Sequence, residues 1–311
     1  MEKQLVFGHQ NPDTDAIAAA ISLAYLRQQQ GINVEPVSLG KPNEETKFAL
    51  NYFGFNPLRV INEAGSEVKK VMLVDHNEPQ QSVSDIKKLQ VTNVVDHHRI
   101  YNFNTDSPLY YRAEPVGCTS TILNKMYHEN KINIPKNIAG MMLSAIISDT
   151  LLLKSPTTTE DDKKAVKELS SLIEIDFNNY GLKMLKAGTN IDSRSDQDLL
   201  NGDAKSFDMN GVKVRIDQIN TVDFDDVFKR QDSIMNSMND EMNKEGYGLF
   251  LVMVTNILNS ETQLIVLGNY SYIVEKAFNK KISNNRISLP GVVSRKKQVV
   301  PPLTEAFNLL N

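Results

Sequence analysis

Apolar residues in the first hundred positions come in short unbroken runs, each released into residues able to carry chemistry. "QLVFGH" closes on His9, "KKVMLVDHN" predicts a strand over Val71–Val74 ending on Asp75, and "VTNVVDHH" ends on Asp96, His97 and His98. Apolar runs of this length without alternation suit parallel strands covered on both faces. Helical spacing intervenes in "AIAAAISLAYLRQQ" and "SVSDIKKL", as βαβ connections require. A later stretch, "NIAGMMLSAIISD", predicts a buried helix that delivers Asp149 at its end.

The polar stretch "AGTNIDSRSDQ" from Ala187 reads as a linker. Beyond it, "VKVRIDQI", "GLFLVMVTNIL" and "TQLIVLG" predict three strands, the last two joined as a hairpin around "NSE". A charged helix is expected near "FDDVFKRQDSIMNSMNDEM". The expected fold is α/β, with an N-terminal domain over 1–186 built on a mainly parallel sheet flanked by helices. A hinge linker over 187–194 and a smaller C-terminal α/β domain with a mixed sheet over 195–311 complete it.

Charge and composition narrow the function. A formal charge of −4 gives no general attraction to nucleic acid or anionic membrane, so neither is expected as a partner. A local basic cluster could still bind an anion. The opening "MEKQLVFGHQ" is no secretory signal. The greasiest stretch, from Ile138, is short and interrupted by Ser144, Ser148 and Asp149, as a buried helix would be. A single cysteine, Cys118, permits neither an internal disulfide nor a CxxC site, and the cytoplasm is the expected location.

Ligands in open α/β sheets bind outside the carboxyl ends of the strands, where three runs here release His or Asp. His9, Asp13, Asp15, Asp75, His97 and Asp149 supply two imidazoles and four carboxylates. Manganese, iron, cobalt and zinc accept such mixed donors, whereas magnesium and calcium prefer oxygen. Six donors exceed one tetrahedral zinc and suffice for two ions if one carboxylate bridges. Two divalent ions would also cancel the four negative charges, whose mutual repulsion is otherwise costly. Asp13 and Asp15 would face one side if their loop is extended, as Pro12 encourages for Asn11. His76 is expected to be structural or to support a ligand, and His128 to lie on the surface.

At these residues the sequence resembles the DHH phosphoesterase superfamily, through "GHQNPDTD", "VDHN" and "VDHH". "EPVGCTST" from Glu114 and "SRKKQ" from Ser294 resemble the family II, manganese-dependent inorganic pyrophosphatases. The resemblance implies two Mn²⁺ per subunit, with Co²⁺ or Mg²⁺ as substitutes, held by the six residues above with Asp75 bridging. It further implies that His98, Lys205, Arg295 and Lys296 contact the phosphates, that the active site lies in the cleft between the domains, and that the chain forms a homodimer. Regulatory CBS domains, which some members insert, have no room here.

The implied reaction is hydrolysis of pyrophosphate to two orthophosphates. Two metals about 3.5–4 Å apart can share one water and bring its pKa toward neutrality, giving a metal-bridged hydroxide. The phosphoryl charge is then met by positioned cations. Lys205, Arg295 and Lys296 bring +3 against a substrate near −4, so a further Mg²⁺ or Mn²⁺ is expected to arrive with pyrophosphate. Two alternatives are weaker. A DHH-type phosphodiesterase or exopolyphosphatase would carry a "GGGH"-type motif, which is missing. Its nucleic-acid branch would also favour stacking surfaces, yet aromatics are 7% and tryptophan is absent. A non-catalytic metal-binding protein would not need the basic "SRKK" cluster.

Overall fold

In the computed structural model, which describes residues 2–310, the apolar runs become a parallel sheet. The first unit, ending at Gly188, contains β1 (Gln4–Phe7), α1 (Thr14–Gln29), β2 (Val34–Pro36), α2 (Glu44–Tyr52), β3 (Lys70–Val74), β4 (Gln90–Asp96) and β5 (Tyr110–Ala113). It continues with α3 (Thr119–Glu129), α4 (Lys136–Asp149), α5 (Glu160–Ile173) and α6 (Phe177–Thr189), the last residue of which begins the second unit. The strand order is β2-β1-β3-β4-β5, with every neighbouring pair parallel.

Alternate residues of these strands enter two separate cores. Val6, Met72, Val74 and Val95 pack with the helices, including Ile17, Leu23 and Ile146. Leu5, Phe7, Val71, Leu73 and Val94 face the other way, against Val37, Ile61, Val68 and Val83. Both faces are therefore apolar, which is why the runs do not alternate. Among the described residues α-helices pack on the first face alone; loops and a 3₁₀ turn cover the second. The expected helix in "SVSDIKKL" is instead one short 3₁₀ turn, Ile86–Lys88, with another, Pro79–Gln81, just before the stretch. Pro79 and the Asp85 carboxylate, which accepts from the backbone of Ala64 and Gly65, favour turns there.

The second unit, from Thr189, holds α7 (Asp196–Asn201), β6 (Ala204–Met209), β7 (Val212–Thr221), α8 (Phe224–Phe228), α9 (Gln231–Glu245), β8 (Leu249–Asn256), β9 (Glu261–Leu267), α10 (Ser271–Phe278), β10 (Arg286–Pro290) and α11 (Val300–Asn308). Its sheet runs β10-β9-β8-β7-β6 and is mixed, because only β7 and β8 are parallel. The expected hairpin is present as β8 and β9. The single charged helix is divided at Lys229–Arg230 into α8 and α9.

The stretch read as a linker is more ordered than expected. Residues 187–189 continue α6, whose Tyr180, Met184 and Leu185 are buried, and Ser195 already caps α7 in a capping box with Asp198. Burial of an apolar face extended the helix through a polar sequence.

Candidate metal centre

The order 2-1-3-4-5 reverses between β1 and β3, and a crevice opens at that switch point beyond the strand ends. His9 leaves β1 there and Asp75 leaves β3. A Cβ on Gly8 would lie 2.5 Å from that of Ala16, so glycine lets the loop press against the start of α1. Asp13 caps α1, accepting from the Ala16 N–H at 3.0 Å. Its free oxygen, Oδ2, lies 3.5 Å from His9 Nε2, which is 3.4 Å from Asp75 Oδ2. Asp75 itself turns the chain at φ 57°, a left-handed value that an aspartate tolerates.

The other oxygen of Asp75 faces a second group. Asp75 Oδ1 lies 3.5 Å from His97 Nε2, and the remaining ring nitrogen of His97 lies 3.0 Å from the Val116 carbonyl, which fixes the imidazole's direction. Asp15, His97 and Asp149 each bring a donor atom within 4.8 Å of the others, as do His9, Asp13 and Asp75. Asp15 is not in an extended loop, as expected, but in the first turn of α1. The helix sends it into the interior while Asp13 stays at the edge. After Asp149 the chain passes through Leu151, Leu152 and Leu153, all left-handed, at a cost of about 1–2 kcal/mol each. Such strain survives only where the surroundings enforce it.

Burial and neighbouring charges perturb His9, Asp15, Asp75, His97 and Asp149. Burial and then the charge of Asp75 push Asp15 up to about 7, against opposing help from His97 and Ser120. Burial, with Asp15 and Asp75 nearby, drives Asp149 well above the ordinary carboxylate range. Burial disfavours the imidazolium of His9, yet contacts with Asp13 and Asp75 outweigh it and push His9 up to about 10. His97, also buried, rises to about 9 beside Asp75 and Asp15. Asp75, although buried, is held below the usual carboxylate range by these histidines. Mixed nitrogen and oxygen donors around buried, repelling carboxylates fit divalent ions of the manganese type.

His98 leaves the strand on the same side as His97, and the two rings are 4.1 Å apart between centroids. It is exposed, and one ring nitrogen contacts the buried Asp96, whose hydrogen bond raises its pKa. Two recesses, of about 290 and 380 Å³, share His98 in their walls; His9, Asn77 and Arg99 line the first, Asp75, Asp149 and Thr157 the second. Buried His76 also lines the first; one ring nitrogen meets the Val74 carbonyl at 2.8 Å, and burial lowers its pKa to about 4. His128 is on the surface, paired with Glu168.

In the second unit, Lys205 lies exposed on β6 and Lys296 exposed beside Arg295. Arg295 is buried. Its guanidinium donates to the carbonyls of Asp203 and Ile216 and to the Asp203 carboxylate, pinning it two residues before Lys205. The fork retains Nε and one further N–H for a ligand.

Sequence reasoning missed the groups that hold Asp15. The backbone N–H groups of Thr119 and Ser120, at the start of α3, donate to it at 2.7 and 3.1 Å, joined by the Ser120 hydroxyl at 2.7 Å. The Thr119 hydroxyl donates to Asp75 at 3.1 Å. The available signal was "CTS" opening a helical stretch, since hydroxyl residues favour helix starts.

The chain matches the DHH family, N-terminal domain, over residues 3–146 and the DHHA2 domain over residues 182–306. It is 61% identical over 308 residues to the probable manganese-dependent inorganic pyrophosphatase of Lactiplantibacillus plantarum, covering 99% of this chain and 100% of that protein. The corresponding Enterococcus faecalis protein is 58% identical, with the same coverage. A putative family II inorganic pyrophosphatase from Methanococcus jannaschii superposes with a TM-score of 0.62 at 38% identity, over 98% of this chain and 99% of that one. An exopolyphosphatase-related protein from Bacteroides fragilis shares the fold alone, with a TM-score of 0.51 at 14% identity over 99% and 92% of the two chains.

Proposed function

The chain belongs to the manganese-dependent, family II inorganic pyrophosphatases, and from that premise we propose how its residues divide the hydrolysis of pyrophosphate into two orthophosphates. His9, Asp13 and Asp75 would hold one divalent ion, and Asp15, His97 and Asp149 a second, with Asp75 serving both. The observation that carries this reading is the placing of the Asp75 oxygens, one 3.4 Å from His9 and the other 3.5 Å from His97. When bound, the ions supply Lewis acidity, lowering the pKa of water toward neutrality and drawing charge from phosphoryl oxygens.

The chain's own residues do the rest. His98, oriented by Asp96, presents its outer ring nitrogen as a donor to a phosphoryl oxygen. Lys205 and Lys296 act as point charges, and Arg295 offers the remaining N–H groups of a fork already fixed by Asp203. Their summed charge falls short of fully ionised pyrophosphate, so the substrate would bring a further Mg²⁺ or Mn²⁺. Of the expected hinge over 187–194, residues 190–194, between the end of α6 and the Ser195 cap of α7, would act as the hinge.

The test is Asp75→Ala. Loss of most bound Mn²⁺ together with a fall in phosphate release of at least about 10³-fold supports the shared ligand; retention of both ions excludes it. We further propose a cytoplasmic homodimer, to be checked by light scattering of the purified protein. Among the described residues no helix is long and apolar enough to cross a membrane.

A further inference from the structure

The start of α1 and the end of α4, which carry Asp13, Asp15 and Asp149, are joined by a residue that belongs to neither. Glu45 lies in the first turn of α2, which Asn43 caps, so its carboxylate meets the favourable end of the helix dipole. Its Oε1 accepts from the Thr14 hydroxyl at 2.9 Å and from the Ser148 hydroxyl. Thr14 stands between Asp13 and Asp15, and Ser148 immediately precedes Asp149. One oxygen thus ties the start of α1 to the end of α4. The Thr14 hydroxyl is also 3.0 Å from that of Thr46, so its place is set from two sides.

The surroundings keep the carboxylate there. Gly188 of α6 packs against it, and a Cβ at that position would lie 3.1 Å from both the Cβ and the Oε2 of Glu45. Glu45 makes no ion pair among the described residues that would explain its partial burial, and hydroxyl donors are the partners it has.

We propose that Glu45 is a positioning residue for the metal centre: it holds Thr14 and Ser148 in register, so that Asp13, Asp15 and Asp149 converge before an ion arrives. The proposal rests on the assignment of those aspartates as ligands. It needs only an acceptor oxygen, so glutamine serves in place of glutamate and alanine does not. Partners that orient ligands in this way commonly change metal affinity by about 10–100-fold when removed.

The experiment is a Mn²⁺ titration of metal-stripped full-length protein, followed by the electron paramagnetic resonance of free Mn²⁺. It uses wild type, Glu45→Ala, Glu45→Gln, Ser148→Ala and Asp75→Ala, with the unfolding midpoint of each metal-free protein recorded. Glu45→Ala is expected to bind Mn²⁺ about 10–100-fold more weakly, Ser148→Ala to follow it in part, and Glu45→Gln to stay within about threefold of wild type. Wild-type affinity in Glu45→Ala, with Asp75→Ala impaired, would overturn the proposal alone. Wild-type affinity in Asp75→Ala would overturn the ligand assignment and the proposal with it. If Glu45→Ala fails to fold, Ser148→Ala decides, and unchanged affinity there overturns the clamp.

Discussion

One carboxylate oxygen of Asp96 meets His98 twice, accepting from its backbone N–H at 3.1 Å and lying 2.9 Å from its ring Nδ1. The other oxygen accepts from Asn77 at 2.6 Å. The Asp96 hydrogen bond raises the pKa of His98 and so favours the imidazolium; with Nδ1–H donating to Asp96, the outer N–H is the donor that the proposed substrate role uses. Asp96→Asn is therefore expected to lower kcat by about 10–100-fold while Mn²⁺ content stays at the wild-type level. Steady-state kinetics with metal analysis would check this; an unchanged kcat would mean that the ring's orientation does not matter.

Arg295 is buried against Asp203 and Ile216, so its replacement should act on the fold and, through its proposed substrate role, on KM as well. Arg295→Ala leaves two carbonyl oxygens without their charged donor and is expected to cost about 2–3 kcal/mol of stability. It should also raise KM for pyrophosphate at least about tenfold. Arg295→Lys keeps the charge but not the fork, and should recover less than half of the stability loss. Chemical denaturation and KM measured on the same preparations separate the two effects.

Asp217, fully buried on β7, gives the second unit a distinct pH dependence. Burial raises its pKa to about 6, and the Gln218 and Asp203 backbone and the Arg215 charge offset this only in part. Neither carboxylate oxygen makes a well-formed hydrogen bond. Because the folded value lies above the ordinary one, the group's contribution to stability is complete below about pH 4 and is lost as pH rises to about 6. The loss is about 3 kcal/mol at most. Asp217→Asn should raise the unfolding midpoint at pH 7–8 and change it little at pH 4. Equal effects at both pH values would contradict the assignment.

The strand ends were legible because β1, β3 and β4 are buried on both faces, so their apolar runs stand out and the polar residues after them mark the sheet's carboxyl edge. That made His9, Asp75 and His97 readable. Asp13 and Asp15 were readable as a pair for the wrong geometric reason: a helix start separates them, not an extended loop. For Thr119 and Ser120 the sequence offered only a helix-start signal, and for the contacts of Glu45 none, because these depend on long-range neighbours that spacing does not record. The 3₁₀ turns after β3 escaped for a similar cause. Side-chain bonds from Asp85 override a weak helical pattern.

The most direct measurement is phosphate release by metal-stripped protein reloaded with Mn²⁺ or Mg²⁺, given pyrophosphate, a long polyphosphate and a dinucleotide in parallel. Rapid release from pyrophosphate, faster with Mn²⁺ and without comparable activity on the other two, is the predicted result. Equal or greater activity on the dinucleotide or the polyphosphate, or none on pyrophosphate with both ions bound, would contradict it.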